Sequence, residues 1–215
     1  MLIDTAGPVV GVAGYCGATC VHAEVEAVVA GADGWLTPAL ARAVAAVGSL
    51  DAVAVVNGPG AFTGLRVGLA HALGLALARG VPVQVLSSLA LRAAAAPGRA
   101  CVVALLDARK GRLYAQAFDT RGAAPLALGP PADAAAEVLA AQVWTQAVCV
   151  GEGVVVAGPL LACVPPWTVA PDAYVRAAAG LLLATPEVDA GDVGAAYLRE
   201  PDATPPAAVA PPRLG

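Results

Sequence analysis

The sequence predicts an α/β fold built from two halves of related plan, and three observations predict it. From Ala52 onward, β-branched runs alternate with long Ala- and Leu-rich runs, giving strand, helix, strand, helix. A short hairpin opens the chain, and a second, from Cys101 to Phe118, follows roughly one hundred residues later, so the second half repeats the opening of the first. Apolar residues make up 59% of the 215, enough to bury a substantial core.

Taken in order, Ile3-Asp4 and Val9 to Ala13 are apolar runs separated by Thr5-Ala6-Gly7-Pro8, which reads as strand, tight turn, strand. Thr37 is placed to cap a helix with Pro38 at its first position, running to Val47 and stopped by Gly48. Leu36, Leu40, Val44 and Val47 recur at spacings of three and four and give that helix one apolar face. Ala52 to Val56 reads as a buried strand that empties into Asn57-Gly58-Pro59-Gly60. A long helix from Phe62 to Arg79, ended by Gly80, follows. Val81 to Leu86 is the next strand, and Ser87-Ser88 caps a helix to about Ala96. Beyond the second hairpin, the patterns predict a helix over 133–142, strands at Val148–Val150 and Val154–Val156, and a helix from Ala173 to Leu183. The chain thus divides into a first half at 1–100, to which a segment at about 171–200 returns, a smaller half at 101–170, and a Pro-rich tail at 201–215 expected to be disordered.

Composition excludes several classes. The longest apolar runs, Ala72 to Ala78 and Ala177 to Ala184, fall far short of the roughly 20 residues a bilayer span needs, so no transmembrane helix is expected despite a mean hydropathy of +0.74. The N-terminus lacks a basic segment followed by a long apolar one, which points to the cytoplasm. Cys16, Cys20, Cys101, Cys149 and Cys163 form no CxxC pair, and neither a disulfide framework nor a zinc site is expected. A formal charge of −4 has the wrong sign for a protein that grips a nucleic-acid backbone by itself.

The stretch from Asn57 to Ala78 is the most informative. Gly58-Pro59-Gly60 between a strand and a helix invites a phosphate-cradle reading, but there is no Gly-Lys-Ser/Thr, and the glycines at 58, 60 and 64 miss the dinucleotide spacing. A sharp turn is the other reading. In the helix, Gly64, Gly68, Ala72 and Ala76 recur every four residues, and such a stripe lets another helix backbone approach closely. Leu65, Leu69, Leu73 and Leu77 form the adjoining stripe. A helix apolar almost all round is covered on both sides, by the chain's own elements or by a second protein.

Asn57-Gly58-Pro59-Gly60-Ala61-Phe62-Thr63-Gly64-Leu65-Arg66-Val67-Gly68 resembles the GPGSFTGLRIG signature of the TsaB (YeaZ) family. Three further motifs of that family occur in order: Ile3-Asp4-Thr5, Asp107-Ala108-Arg109-Lys110-Gly111-Arg112-Leu113-Tyr114, and Tyr197-Leu198-Arg199. Three departures stand out: Ala61 replaces the usual Ser, the region before Thr37 lacks the family's usual His, and the first hairpin reads as short.

The resemblance implies an actin/sugar-kinase/Hsp70-like (ASKHA) fold of two related α/β halves. It also implies a non-catalytic subunit that binds TsaD, and with it the ATPase TsaE, in forming the threonylcarbamoyl group on N6 of adenosine 37 in tRNAs reading A-starting codons. The TsaD-type metal site needs a His-x-x-x-His pair, whereas this chain has only His22 and His71, so no metal is expected. The surface implied for the partner comprises Leu36, Leu40, Val44, Phe62, Gly64, Leu65, Gly68, Leu69, Ala72, Leu73 and Ala76. An unpaired apolar helix also makes a homodimer of the isolated chain an expectation. Asp4, Thr5 and Asp107 open the loops where this fold class holds a nucleotide; they are candidate ATP or ADP contacts, or turn residues bonding their own backbone. A small-molecule kinase or ATPase of the same fold, or a peptidase of the M22 type, are the competing classes.

Overall fold

The computed structural model describes residues 1–27, 33–140, 147–158 and 170–198. Its first sheet runs β11-β5-β4-β1-β2-β3 and its second β10-β6-β7-β8, with β9 also pairing β7. The strands of the first are β1 (Leu2–Asp4), β2 (Val9–Cys16), β3 (Thr19–Ala27), β4 (Val53–Gly58), β5 (Val83–Ser87) and β11 (Glu187–Val188). Those of the second are β6 (Val102–Arg109), β7 (Arg112–Asp119), β8 (Leu126–Ala127), β9 (Ala132–Ala135) and β10 (Val148–Val150). In each half an antiparallel hairpin (β1 with β2, β6 with β7) has a later strand added in parallel beside its first member, β4 in one case and β10 in the other. The repeat foreseen from two hairpins is therefore a repeat of sheet topology.

Alternation along the strands sorts side chains into layers. Ile3, Val12, Val53, Val55 and Val83 point to the face covered by α1 (Asp33–Val47) and α2 (Phe62–Arg79). Leu2, Ala13, Ala54, Val56 and Leu86 point the other way, into a core shared with α3 (Ser88–Ala94), α6 (Ala173–Arg176), α7 (Ala179–Ala184) and one face of β6. The remaining face of the second sheet, with Val103, Leu105, Leu113 and Ala115, is covered by α4 (Ala136–Ala140) and α5 (Gly153–Ala157). No helix among the described residues is long and apolar enough to cross a membrane.

The expected ends of α2 and α3 are found. Gly80 adopts the left-handed conformation at φ 62° after α2, and the Ser87 hydroxyl accepts from the Ala90 amide ahead of α3. Four expectations are corrected. Thr37 is not a cap: α1 begins at Asp33, and the Thr37 hydroxyl lies 3.2 Å from His71 Nε2 on α2. Pro38 sits inside the helix, close enough to its start that only one early hydrogen bond is forgone. The helix over 133–142 starts only at Ala136, because Ala132–Ala135 pairs with β7 as a strand, where edge pairing overrides alanine's helical preference; positions 141 and 142 lie outside the described residues. The Val154–Val156 run is helical rather than extended, since Gly151 at φ 102° turns the chain sharply and lays Gly153 against the backbone of Leu105 and Leu106.

The fourth correction is the helix from Ala173 to Leu183, which is broken into α6 and α7. Tyr15 is the cause. Its hydroxyl donates to the Val175 carbonyl at 2.5 Å and accepts from the Ala178 amide at 3.1 Å, tying this corner to β2. Burial holds the Tyr15 phenol above its ordinary pKa, so it stays a donor. Tyr15→Phe leaves two buried backbone groups unpaired and is expected to lower unfolding free energy by about 1–3 kcal/mol, read by urea denaturation. The tail at 201–215 lies outside the described residues.

Candidate functional site

Three of the four motifs meet where β1 ends and α2 begins. The Thr5 hydroxyl donates to the Gly64 carbonyl at 2.7 Å, and the Ala61 amide donates to the Ala6 carbonyl at 2.8 Å. A Cβ on Gly64 would fall on the Thr5 carbonyl, and one on Gly68 on the Thr5 hydroxyl. These glycines are small because β1's end lies against them. The Gly58–Gly60 turn is likewise occupied by protein: Ala6 closes on Gly60, and the Ala196 amide donates to the Asn57 carbonyl at 2.8 Å while the Asn57 side-chain amide donates to the Gly194 carbonyl at 3.0 Å. Tyr197 completes the junction, its ring 5.1 Å from that of Phe62, with the Arg66 guanidinium 3.9 Å over Phe62. The loop is a sharp turn closed by its own chain, and its glycines face backbone where a phosphate cradle would face ligand. Arg199 lies outside the described residues.

The candidate nucleotide residues have different fates. Asp4 is 2% exposed; one carboxylate oxygen accepts from the Ala6 amide at 3.0 Å and the other pairs with the Arg92 guanidinium. Thr5 is spent on α2, as described. Asp107 accepts from the Arg109 amide at 2.7 Å, two residues on. Each carboxylate thus makes the turn bond to its own backbone that was one of the two readings of these residues.

Arg92 is a buried charge in this region that sequence reasoning missed. It is 1% exposed, reaches from α3 to Asp4, and also meets Glu152, which follows β10, at 2.8 Å and 3.1 Å. Its guanidinium lies 5.2 Å over the ring of Tyr174 from the returning segment. Burial alone would lower its pKa, but Asp4 and then Glu152 outweigh burial and hold it above its ordinary value. Burial, and then the Glu152 charge, push the Tyr174 hydroxyl up to about 12. A charged cluster therefore bridges the two halves, and two carboxylates against one guanidinium leave it a net negative charge. Its one signal in the sequence is that Arg92 is the single charge between Ser88 and Ala96.

The surface assigned to a partner needs correction. Leu36, Leu40, Leu65, Gly68, Leu69, Ala72 and Ala76 are buried in this chain's own core, so the stripe of small residues lets α2 approach its own sheet. Val44, Phe62, Gly64 and Leu73 are half-buried. What the two helices turn outward is a different set: Pro38, Ala41 and Ala45 on α1, and Ala70, Gly74, Leu77 and Ala78 on α2, with Leu77 82% exposed. Among the described residues no group of three His, Cys, Asp or Glu side chains could hold a metal ion.

A family model described as TsaD, tRNA N6-adenosine threonylcarbamoyltransferase, matches residues 32–154. An uncharacterized Mycobacterium leprae protein is 36% identical over 183 residues, covering 79% of this chain and 45% of the relative, so the chain spans under half of that protein. A Mycobacterium tuberculosis protein is 35% identical over 175 residues, covering 79% of this chain and 76% of its own length. The Escherichia coli tRNA threonylcarbamoyladenosine biosynthesis protein TsaB is 41% identical over 68 residues, 30% of this chain and 29% of that one. The solved structure of YeaZ from Pseudomonas aeruginosa superposes with a TM-score of 0.76 over 92% of this chain and 98% of that one, at 24% identity, a likeness of fold. The fold is the ASKHA-like α/β fold, and the chain belongs to the family that the TsaD model describes, in which it resembles the TsaB (YeaZ) proteins.

Proposed function

We propose that this chain is a non-catalytic, cytoplasmic subunit that binds a TsaD homologue, and through it TsaE, in forming the threonylcarbamoyl group on N6 of tRNA adenosine 37. The observation that carries the proposal is Gly74. It lies inside α2 on the outward face, and a Cβ there would meet nothing within 4 Å. Glycine in a helix interior is destabilising by about 1 kcal/mol relative to alanine, and nothing in this chain's own packing requires it. A second helix backbone lying close over Ala70, Gly74 and Ala78 accounts for it. A second copy of this chain is the competing occupant in isolated protein.

The cluster of Asp4, Arg92 and Glu152 supports the non-catalytic reading. It fills the space behind the first hairpin with protein groups and gives that space a net negative charge, which opposes a nucleotide's phosphates. A kinase or ATPase of this fold would need that space open, and a peptidase would need a nucleophile with a base, for which His22, paired with Glu24, and His71, bonded to Thr37 and the Val67 carbonyl, are poorly placed.

Co-expression with the TsaD homologue of the same cell is expected to yield a stoichiometric complex, and calorimetry of the isolated chain with ATP or ADP no saturable heat. Recovery of ATPase or kinase activity with the isolated chain, and no TsaD in the pull-down, would overturn the proposal.

A further inference from the structure

The hairpin of β6 and β7 departs from the chemistry of its own turn. Arg109 and Arg112 are its last pair, leaving Lys110-Gly111 as a two-residue turn, and a register shift between Asp107 and Arg109 places a bulge just before it. Three successive residues there have positive φ: Arg109 at 65°, Lys110 at 55° and Gly111 at 72°. Glycine or asparagine suits such positions, because in the left-handed region a Cβ crowds the neighbouring carbonyl. Gly111 conforms. Among the described residues, Arg109 and Lys110 are the two non-glycine residues with positive φ.

What these two side chains bring is charge. Arg109, Lys110 and Arg112 put three of the chain's twelve basic residues into four positions, in a chain of net charge −4. Arg112 is engaged by Asp133 at 2.7 Å. Arg109 pairs with Asp107 only at 3.7 Å, with its own side chain 74% exposed, a contact that solvent screens. The Asp107 carboxylate also accepts from the Arg109 amide, so it serves the turn. Lys110 is exposed as well. A strained backbone thus presents cations, and strain that two ordinary substitutions would relieve points to a use for the side chains.

The chemistry of the tip selects its counterpart. A protein interface is built round an apolar or aromatic centre, and this tip has none: Arg109, Lys110 and Gly111 are exposed, while Leu113 is buried. Phosphate groups require only cations and hydrogen-bond donors. The tip belongs to the second half, whereas the proposed TsaD-binding face lies on α1 and α2 of the first, so the two surfaces share no residue.

We propose that the Arg109-Lys110 tip contacts the phosphate backbone of the tRNA on which the assembled complex acts. This rests on the proposed function and adds a contact from this subunit to the substrate. It agrees with the negative charge of the chain as a whole, since two cations reinforce a grip made elsewhere in the complex and do not turn the isolated chain into a tRNA-binding protein.

The test combines Arg109→Asn with Lys110→Gly in the full chain, assembles it with the TsaD and TsaE homologues of the same cell, and measures tRNA affinity across a sodium chloride series. Both replacements suit a positive φ, so the urea midpoint is expected to hold or rise. Copurification with TsaD should match wild type. Affinity for tRNA is expected to fall about tenfold at low salt, and the slope of log affinity against log salt to become shallower by roughly 1.5, from two lost phosphate contacts at about 0.7–0.9 each. Lys110→Gly alone, which leaves the Asp107 pair in place, should give about half of that slope change. An unchanged slope in the double variant overturns the inference whatever its stability, because the slope counts phosphate contacts; the proposed function then stands if the complex has formed. Weaker binding to TsaD or TsaE with an intact tRNA slope also overturns it, and makes the counterpart an acidic protein surface. If the wild-type chain forms no complex with TsaD, the proposed function falls and this inference with it.

Discussion

Replacing Arg92 with methionine is expected to lower the unfolding free energy by about 3–5 kcal/mol, the loss typical of breaking a buried ion pair. The size follows from what stays behind. Asp4 keeps one bond, to the Ala6 amide, and Glu152 loses both of its guanidinium contacts, so a buried carboxylate and a largely buried one face each other without a counter-charge. Domains of this size have roughly 5–15 kcal/mol in total, so the variant should sit near the edge of folding. A triple replacement, Asp4→Asn, Arg92→Met and Glu152→Gln, removes the charges together and is expected to recover most of the loss. Urea denaturation of the two variants beside wild type decides it; a single variant within about 0.5 kcal/mol of wild type would mean that the cluster does not hold the halves together.

The same cluster bears on the proposed function. In a fold whose catalytic members hold nucleotide between two hairpins, here the first hairpin's Asp4 is turned to Arg92, and Arg92 is turned to the strand end of the other half. Of the three candidate nucleotide residues, Asp4 is held in the contact that joins the halves, Thr5 bonds α2, and Asp107 bonds the Arg109 amide of its own turn. The proposed scaffold role would benefit from such a closure, because α1 and α2 then hold one relation to the rest of the molecule.

Much of this was legible in the sequence, and the exceptions have physical causes. Val53 to Val56, α2 and the second hairpin declared themselves through β-branched runs, Gly80 and the Asp107 to Gly111 turn, because local chemistry and tertiary structure agree there. The missed elements are places where a distant group overrides local preference: Tyr15 splits the helix from Ala173, and pairing with β7 extends Ala132–Ala135. The stripe of Gly64, Gly68, Ala72 and Ala76 was rightly seen as a surface of close approach, but periodicity cannot say which element approaches. Thr5 does, from sixty residues away in sequence at Gly64 and Gly68. Arg92 was missed because one charge in an alanine-rich helix reads as solvated until its partners, Asp4 and Glu152, are seen beside it.

Gly68 and Gly74 lie six residues apart on one helix and should respond in opposite senses to the same change. A methyl group at Gly68 would fall on the Thr5 hydroxyl, whose bond to the Gly64 carbonyl must then break; with overpacking at roughly 1–3 kcal/mol and a buried hydrogen bond near 1 kcal/mol, Gly68→Ala is expected to lose about 2–4 kcal/mol. At Gly74 the methyl meets open space, so Gly74→Ala should gain about 0.5–1 kcal/mol from helix propensity alone. The Gly68 loss should also be coupled to Thr5: with Thr5→Ala in place the obstructing hydroxyl is gone, and the added cost of Gly68→Ala should fall by about half in a double-mutant cycle. Chemical denaturation of the four variants reads all of this. Equal stability changes at the two glycines would place α2 in a different rotation about its axis, with the partner-facing and sheet-facing sides exchanged, whereas opposite signs together with normal TsaD binding by a refolded Gly68→Ala would leave Gly74 as the glycine that answers to the partner.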